Sequence, residues 1–210
     1  MPKRPAAKKQ AKPQDALACG EAFQRLAEEI IPKIGAIKED PSQGMSHELA
    51  NLVTCATNLG FAIELYLKAL LIHLDLQVPH VHDLRALYDA IPQPVRAIIE
   101  NVYDAALPDE VRRLRGRVSL TLAKGPIENP RWDDYRVSLA LPDLLTRSRD
   151  LFESWRYIFE FTQPKNSPHQ FHQFEYGLLR CAAEAMRVEA ISRLAETGEG
   201  PPPAPLTRKL

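Results

Sequence analysis

Cysteine is sparse: Cys19, Cys55 and Cys181 are the three in 210 residues. Their odd number, scattered placement and lack of any CxxC spacing exclude a disulfide framework and fit a reducing cytoplasm. Net charge is also missing, because 27 basic residues meet 27 acidic ones. A generic polyanion binder is basic overall, so any nucleic-acid role has to rest on a local patch. No apolar run reaches the roughly 18–20 residues of a membrane span. The basic N-terminus has no apolar segment behind it, which excludes a secretory signal. Nine glycines form no P-loop, dinucleotide fingerprint or nucleophile elbow. The turn-rich AKGPIENP at 123–130 has too few of them to cradle a phosphate.

What is present is helical periodicity between two polar ends. Residues 1–13 hold five basic residues and three prolines and read as a disordered basic arm. Residues 198–210 read as a disordered proline-rich tail. Between them, 14–197 reads as a single domain. Leu17, Phe23, Leu26, Ile30, Ile34 and Ile37 recur at helical spacing, with Pro32 a kink or a break. A long helix is expected from about Ser46 to Leu74. A short one follows at 83–91 with Leu84, Leu87, Tyr88 and Ile91 on one face, and another starts around Pro94. An amphipathic helix spans 143–161, striped by Leu144, Leu145, Leu151, Phe152, Trp155, Ile158 and Phe159. The last runs over about 168–196. RVSLTL (117–122) and YRVSLAL (135–141) alternate apolar and polar residues, as strands do. The fold expected is all-α, a bundle of about five to six helices with a small hairpin or ordered loop inserted at about 107–142.

The most apolar segment, GFAIELYLKALLIHL (60–74), carries an acid and a base four residues apart, Glu64 and Lys68. A helix apolar nearly all round belongs in the middle of a bundle. On an exposed face the pair contributes only about 0.2–0.5 kcal/mol, a weak reason to interrupt such a run. Buried, it needs further partners, since an unpaired buried charge is costly. Two other segments supply polar residues beside core stripes: HVHDLRALYDAIP with His82 and Asp83, and FESWRYIFE with Arg156 and Glu160. One inter-helix cluster of Glu64, Lys68, His82, Asp83, Arg156 and Glu160 is therefore expected.

AIELYLKALL, HDLRALYDAIP and FESWRYIFE, in that order, resemble the HEPN superfamily of small prokaryotic helical proteins over roughly residues 47–161. The resemblance implies a helical bundle, commonly a homodimer, linked to toxin–antitoxin and anti-phage systems. Many members are metal-independent RNases, and others bind nucleotides. The RNase members carry an arginine followed four to six residues later by a histidine. This chain has instead Lys68 and His73, and lysine lacks the planar fork that grips a phosphate bidentately. What carries over is the six polar positions alone.

Two further constellations stand apart. RRLRGR places Arg112, Arg113, Arg115 and Arg117 together, with Arg131 and Trp132 beyond the turn. Arginines contact phosphates while aromatics stack on exposed bases, so this is a candidate nucleic-acid patch. HQFHQFE puts His169, His172 and Glu175 on one face if helical, a set that packing explains better than a metal does. No metal or other cofactor is expected. The function expected is that of a cytoplasmic interaction module of a prokaryotic defence or toxin–antitoxin system, either non-catalytic with the polar network fixing helix register or binding RNA or a nucleotide, with an antitoxin-type protein as partner and no membrane. The alternative is an endoribonuclease working through 2′-OH attack. His82 would then be the general acid/base, and Arg156 or Lys68 would stabilise the phosphorane charge.

Overall fold

The computed structural model describes residues 12–33, 47–112, 117–123, 138–156 and 169–198. The proline-rich tail, and the basic arm up to residue 11, lie outside them. Helices α1 (Pro13–Ile30), α2 (His47–His73), α3 (Leu84–Asp89) and α4 (Gln93–Arg112) are followed by strand β1 (Arg117–Ala123). Helices α5 (Leu141–Arg147) and α6 (Leu151–Arg156), strand β2 (His169–Glu175) and helix α7 (Tyr176–Glu196) complete the order. Among the described residues 81% are helical, and the fold is an all-α bundle. With α5 and α6 counted as halves of one interrupted helix, it has six helical arms among the described residues, within the expected number.

Helix α2 is the centre. It packs against α1, α3, α6 and α7, while α4 packs against α7. Leu52, Leu59, Ile63, Tyr66, Leu67, Leu70 and Leu71 of α2 are fully buried, so its apolar residues face protein in several directions at once. The stretch Ala50–His73 is long and apolar enough to cross a membrane by length and composition. Two-thirds of its window is buried inside the bundle, as suits a core helix. It ends with Asp75 in the left-handed region, φ 53°, where the N–H of Leu76 closes back on the Leu71 carbonyl at 2.9 Å. That backbone hydrogen bond satisfies a carbonyl the helix end would otherwise orphan.

Helix α1 keeps Leu17 of the expected stripe in the core and packs Phe23 and Ile30 against it, but departs from the stripe at Leu26. Its buried face is Leu17, Gly20, Gln24 and Ala27, and Leu26 is 47% exposed. The reason is how close α1 comes to α2. A Cβ added at Gly20 would lie 2.6 Å from Cε1 of Tyr66, so only hydrogen fits. The hydroxyl of Tyr66 then donates to Oε1 of Gln24 at 2.8 Å. Small and polar side chains occupy the closest approach, and larger ones flank it. Pro32 falls in a 3₁₀ turn at 31–33 that ends the helix, and Ile34 and Ile37 lie outside the described residues.

The inserted segment differs from expectation in three ways. α4 continues through Pro108 to Arg112, so the helix enters the region read as a loop. β1 does form, but it pairs antiparallel with β2, with Arg117 opposite Glu175 and Ala123 opposite His169. Of the expected hairpin partner at 135–141, residues 138–140 instead lead into α5, and 135–137 lie outside the described residues. There Leu139 offers its carbonyl to the Tyr103 hydroxyl at 2.9 Å, and Pro142 occupies the first turn. Consequently the last helix starts at Tyr176 and not near 168. The single helix expected over 143–161 is broken at Ser148–Asp150. The break frees the Arg149 carbonyl to accept from the Leu84 N–H at 2.8 Å, tying α3 to the turn.

Candidate functional site

The sequence puts Glu64 and Lys68 one turn apart on α2, and α2 carries Glu64 into the core. Its side chain is 1% exposed, yet both oxygens are engaged. Lys68 Nζ lies 2.6 Å from Oε1, and His82 Nδ1 lies 2.9 Å from Oε2. The lysine is 21% and the histidine 41% exposed, so the cluster runs from a buried anion outward to two partly wet partners. When Nδ1 carries the imidazole proton it donates to the carboxylate, which leaves Nε2 as an acceptor on the outer side. A histidine whose second nitrogen is fixed in this way is oriented for binding or proton transfer.

An aromatic row backs the cluster. Phe23 meets Phe61 edge-on at 4.7 Å, and Phe61 stacks on Phe152 at 4.7 Å and 23°. The Phe152 ring lies 5.3 Å from the His82 ring, and Cζ of Arg156 sits 4.6 Å over the same phenyl centroid. Gly60 makes this possible. A Cβ there would come within 3.2 Å of the Phe152 backbone nitrogen and the Leu151 side chain, so α6 rests almost directly on α2. Arg156 itself is exposed.

The structure thus joins Glu64, Lys68 and His82, and brings Arg156 against the same group through Phe152. It separates Asp83. That carboxylate caps α3 by accepting from the Ala86 N–H at 3.0 Å, and its other oxygen lies 3.6 Å from Arg149 Nε. A capping role at a helix start explains its position better than a place in the cluster does. Glu160 lies outside the described residues, as do Arg113, Arg115, Arg131 and Trp132. Arg112 closes α4 and Arg117 opens β1. His169, His172 and Glu175 lie on β2, so the shared helical face expected for them does not exist.

Two features were missed. Phe61 and Phe152 stack beside Glu64 and Arg156, where the sequence pattern places Phe152 in an apolar stripe and gives Phe61 no role. Glu175 is buried and accepts from Arg147 Nε at 3.1 Å and Nη2 at 2.8 Å, while Arg147 Nη1 donates to the Ser138 carbonyl. Both N–H groups converge on the one oxygen Oε2, a charge-assisted contact that pins α5 to the base of the ribbon, and nothing local in the sequence signals it. Comparisons with protein-family models, curated proteins and solved structures find no match for the chain. The likeness to the HEPN superfamily rests on its three motifs.

Proposed function

We propose that this chain is a divergent HEPN-type protein that binds RNA or a nucleotide without cutting it. In this reading it serves as a cytoplasmic homodimeric module of a prokaryotic defence or toxin–antitoxin system, with an antitoxin-type protein as partner. The observation that carries the binding reading is the commitment of Lys68. Its ammonium is spent on the buried Glu64 carboxylate at 2.6 Å, where a cutting site would need it to meet developing charge on phosphorus. Beside it lie a partly exposed imidazole and, over the Phe152 ring, an exposed guanidinium. That combination suits contact with phosphate and base better than it suits bond cleavage.

The test is a gel-shift with a labelled mixed RNA pool in EDTA, run with His82→Ala and Arg156→Ala alongside. The expected result is intact RNA, a shifted band for the native protein, and affinity about tenfold weaker for Arg156→Ala. The absence of a shift for the native protein would refute RNA as the ligand.

One observation favours the endoribonuclease as the second reading. Glu64 fixes His82 so that Nε2 can take the proton from a 2′-OH as that oxygen attacks phosphorus and the 5′-oxygen leaves. Cleavage that survives EDTA and is lost in His82→Ala would establish it.

A further inference from the structure

We infer that His82 is a modification site, its Nε2 accepting a phosphoryl group from a donor with a phosphorus–nitrogen bond. The inference goes beyond ligand binding and stands without it. The buried Glu64 carboxylate holds one ring nitrogen, Nδ1, at 2.9 Å. The Phe152 ring lies 5.3 Å from the imidazole, and Phe61 stacks on Phe152 at 4.7 Å. The imidazole is thus tied at one nitrogen and backed by a supported phenyl ring. The two nitrogens lie on opposite sides of the ring, so anchoring Nδ1 directs Nε2 away from the carboxylate. Nε2 has no hydrogen-bond partner among the described residues, and the side chain is 41% exposed.

A carboxylate accepts and does not donate, so the imidazole proton sits on Nδ1 and the free lone pair on Nε2. That lone pair is the nucleophile. As it forms the new N–P bond, the donor's P–N bond breaks and its electron pair stays with the departing amine. Nδ1 keeps its proton, so the ring gains one positive charge. The charge develops beside Glu64, an anion 1% exposed and placed before the reaction begins. Lys68 engages the other oxygen at 2.6 Å, which leaves Oε2 to the histidine. Asp83 does not compete for the ring, because it caps α3 and faces Arg149. The bond made and the bond broken are of one kind, so the exchange needs no further energy source. His80 supplies the contrast. It is exposed, two residues away in the same connection, and has no carboxylate partner among the described residues.

The test is incubation of the full chain with potassium phosphoramidate at about pH 8. Phosphorus NMR follows the rate and distinguishes phosphate on Nε2 from phosphate on Nδ1, and fragmentation mass spectrometry assigns the histidine. His82 is expected to react at Nε2 about tenfold faster than His80. Glu64→Gln, checked for native-like melting, should bring His82 down to the rate of His80, and His82→Ala should remove the fast phase. Equal rates at His80 and His82, phosphate on Nδ1 of His82, or no phosphorylation of His82 overturns the inference. So does an advantage that survives in Glu64→Gln. The comparison of His82 with His80 is made within one native chain, so it decides the matter even where the glutamine variant does not fold.

Discussion

Replacing Lys68 with methionine is expected to destabilise the fold more than replacing Glu64 with methionine, although Glu64 is the residue at the centre. The carboxylate is 1% exposed and has one donor on each oxygen. Lys68→Met leaves Oε1 of a buried anion without its donor. A hydrogen bond to a charged group contributes about 1.5–3 kcal/mol. Lys68 is partly wet, which screens the pair, so a loss of about 2 kcal/mol is expected. His82→Ala removes the other donor, from a more exposed position, and should lose about 1 kcal/mol. Glu64→Met removes the anion itself. Both former donors can then turn to water, and an apolar side chain of similar size suits the site, so the loss should stay under about 1 kcal/mol. The diagnostic is the double variant: Glu64→Met should rescue Lys68→Met, because an orphaned charge no longer exists. Urea unfolding at pH 7, followed by circular dichroism, reads all four proteins. For a chain of this size 1 kcal/mol moves Tm by about 2–4 °C, so melting gives a second reading. If Glu64→Met is the worst of the set, or fails to rescue Lys68→Met, the carboxylate is a net attractive tie, and the reasoning from uncompensated charge is wrong.

Other outcomes follow from the same structure. Gly20→Ala drives a methyl to 2.6 Å from the buried Tyr66 ring and should destabilise by about 1–3 kcal/mol, read as a lowered urea midpoint. Thr57 Oγ1 is buried with no hydrogen-bond partner among the described residues. Thr57→Val should therefore stabilise by about 1 kcal/mol, and a lower Tm would contradict that. Alkali should unfold the protein early. Burial raises the Cys55 thiol from 9.0 to about 12 and Tyr176 from 10.0 to about 12, and raises Tyr66, Tyr88 and Tyr103 as well. These groups stay protonated in the fold where the unfolded chain would release the proton. Their contribution is complete below about pH 9 and is lost between about 9 and 12. Urea midpoints measured from pH 8 to 11 should fall throughout the upper part of that range, and a flat profile would refute it.

How far the sequence could be read depended on how far apart the interacting residues lay. α2 and α3 declared themselves through short-range signals: an unbroken apolar run, the Glu64–Lys68 spacing, and Asp83 in front of a striped turn. The partner of β1 did not. RVSL occurs in both 117–120 and 136–139, so local alternation offered two equally strand-like segments, and the real partner is a histidine- and glutamine-rich stretch much further on. On α1 the expected stripe holds at Leu17, Phe23 and Ile30 and fails at Leu26, because the closest approach to α2 falls at Gly20. Helices that cross closely bury their small residues instead, as Gly20 and Ala27 do here. At the site, Glu64, Lys68 and His82 were legible because an acid in an apolar run demands partners. Phe152 was not, since a ring that supports a guanidinium looks in sequence like any ring that fills a core.

The pairing of β1 with β2 also bears on the order in which the protein assembles. The strands are separated by all of α5 and α6, so zipping them from the unfolded chain would close a long loop before any contact rewards it. Docking α6 on α2 and latching Arg147 to Glu175 divides that closure into shorter ones. The ribbon is thus expected to be a late event, built after the helices that bring its halves together. In pulsed hydrogen exchange during refolding, amides of α2 should gain protection first and those of 117–123 last.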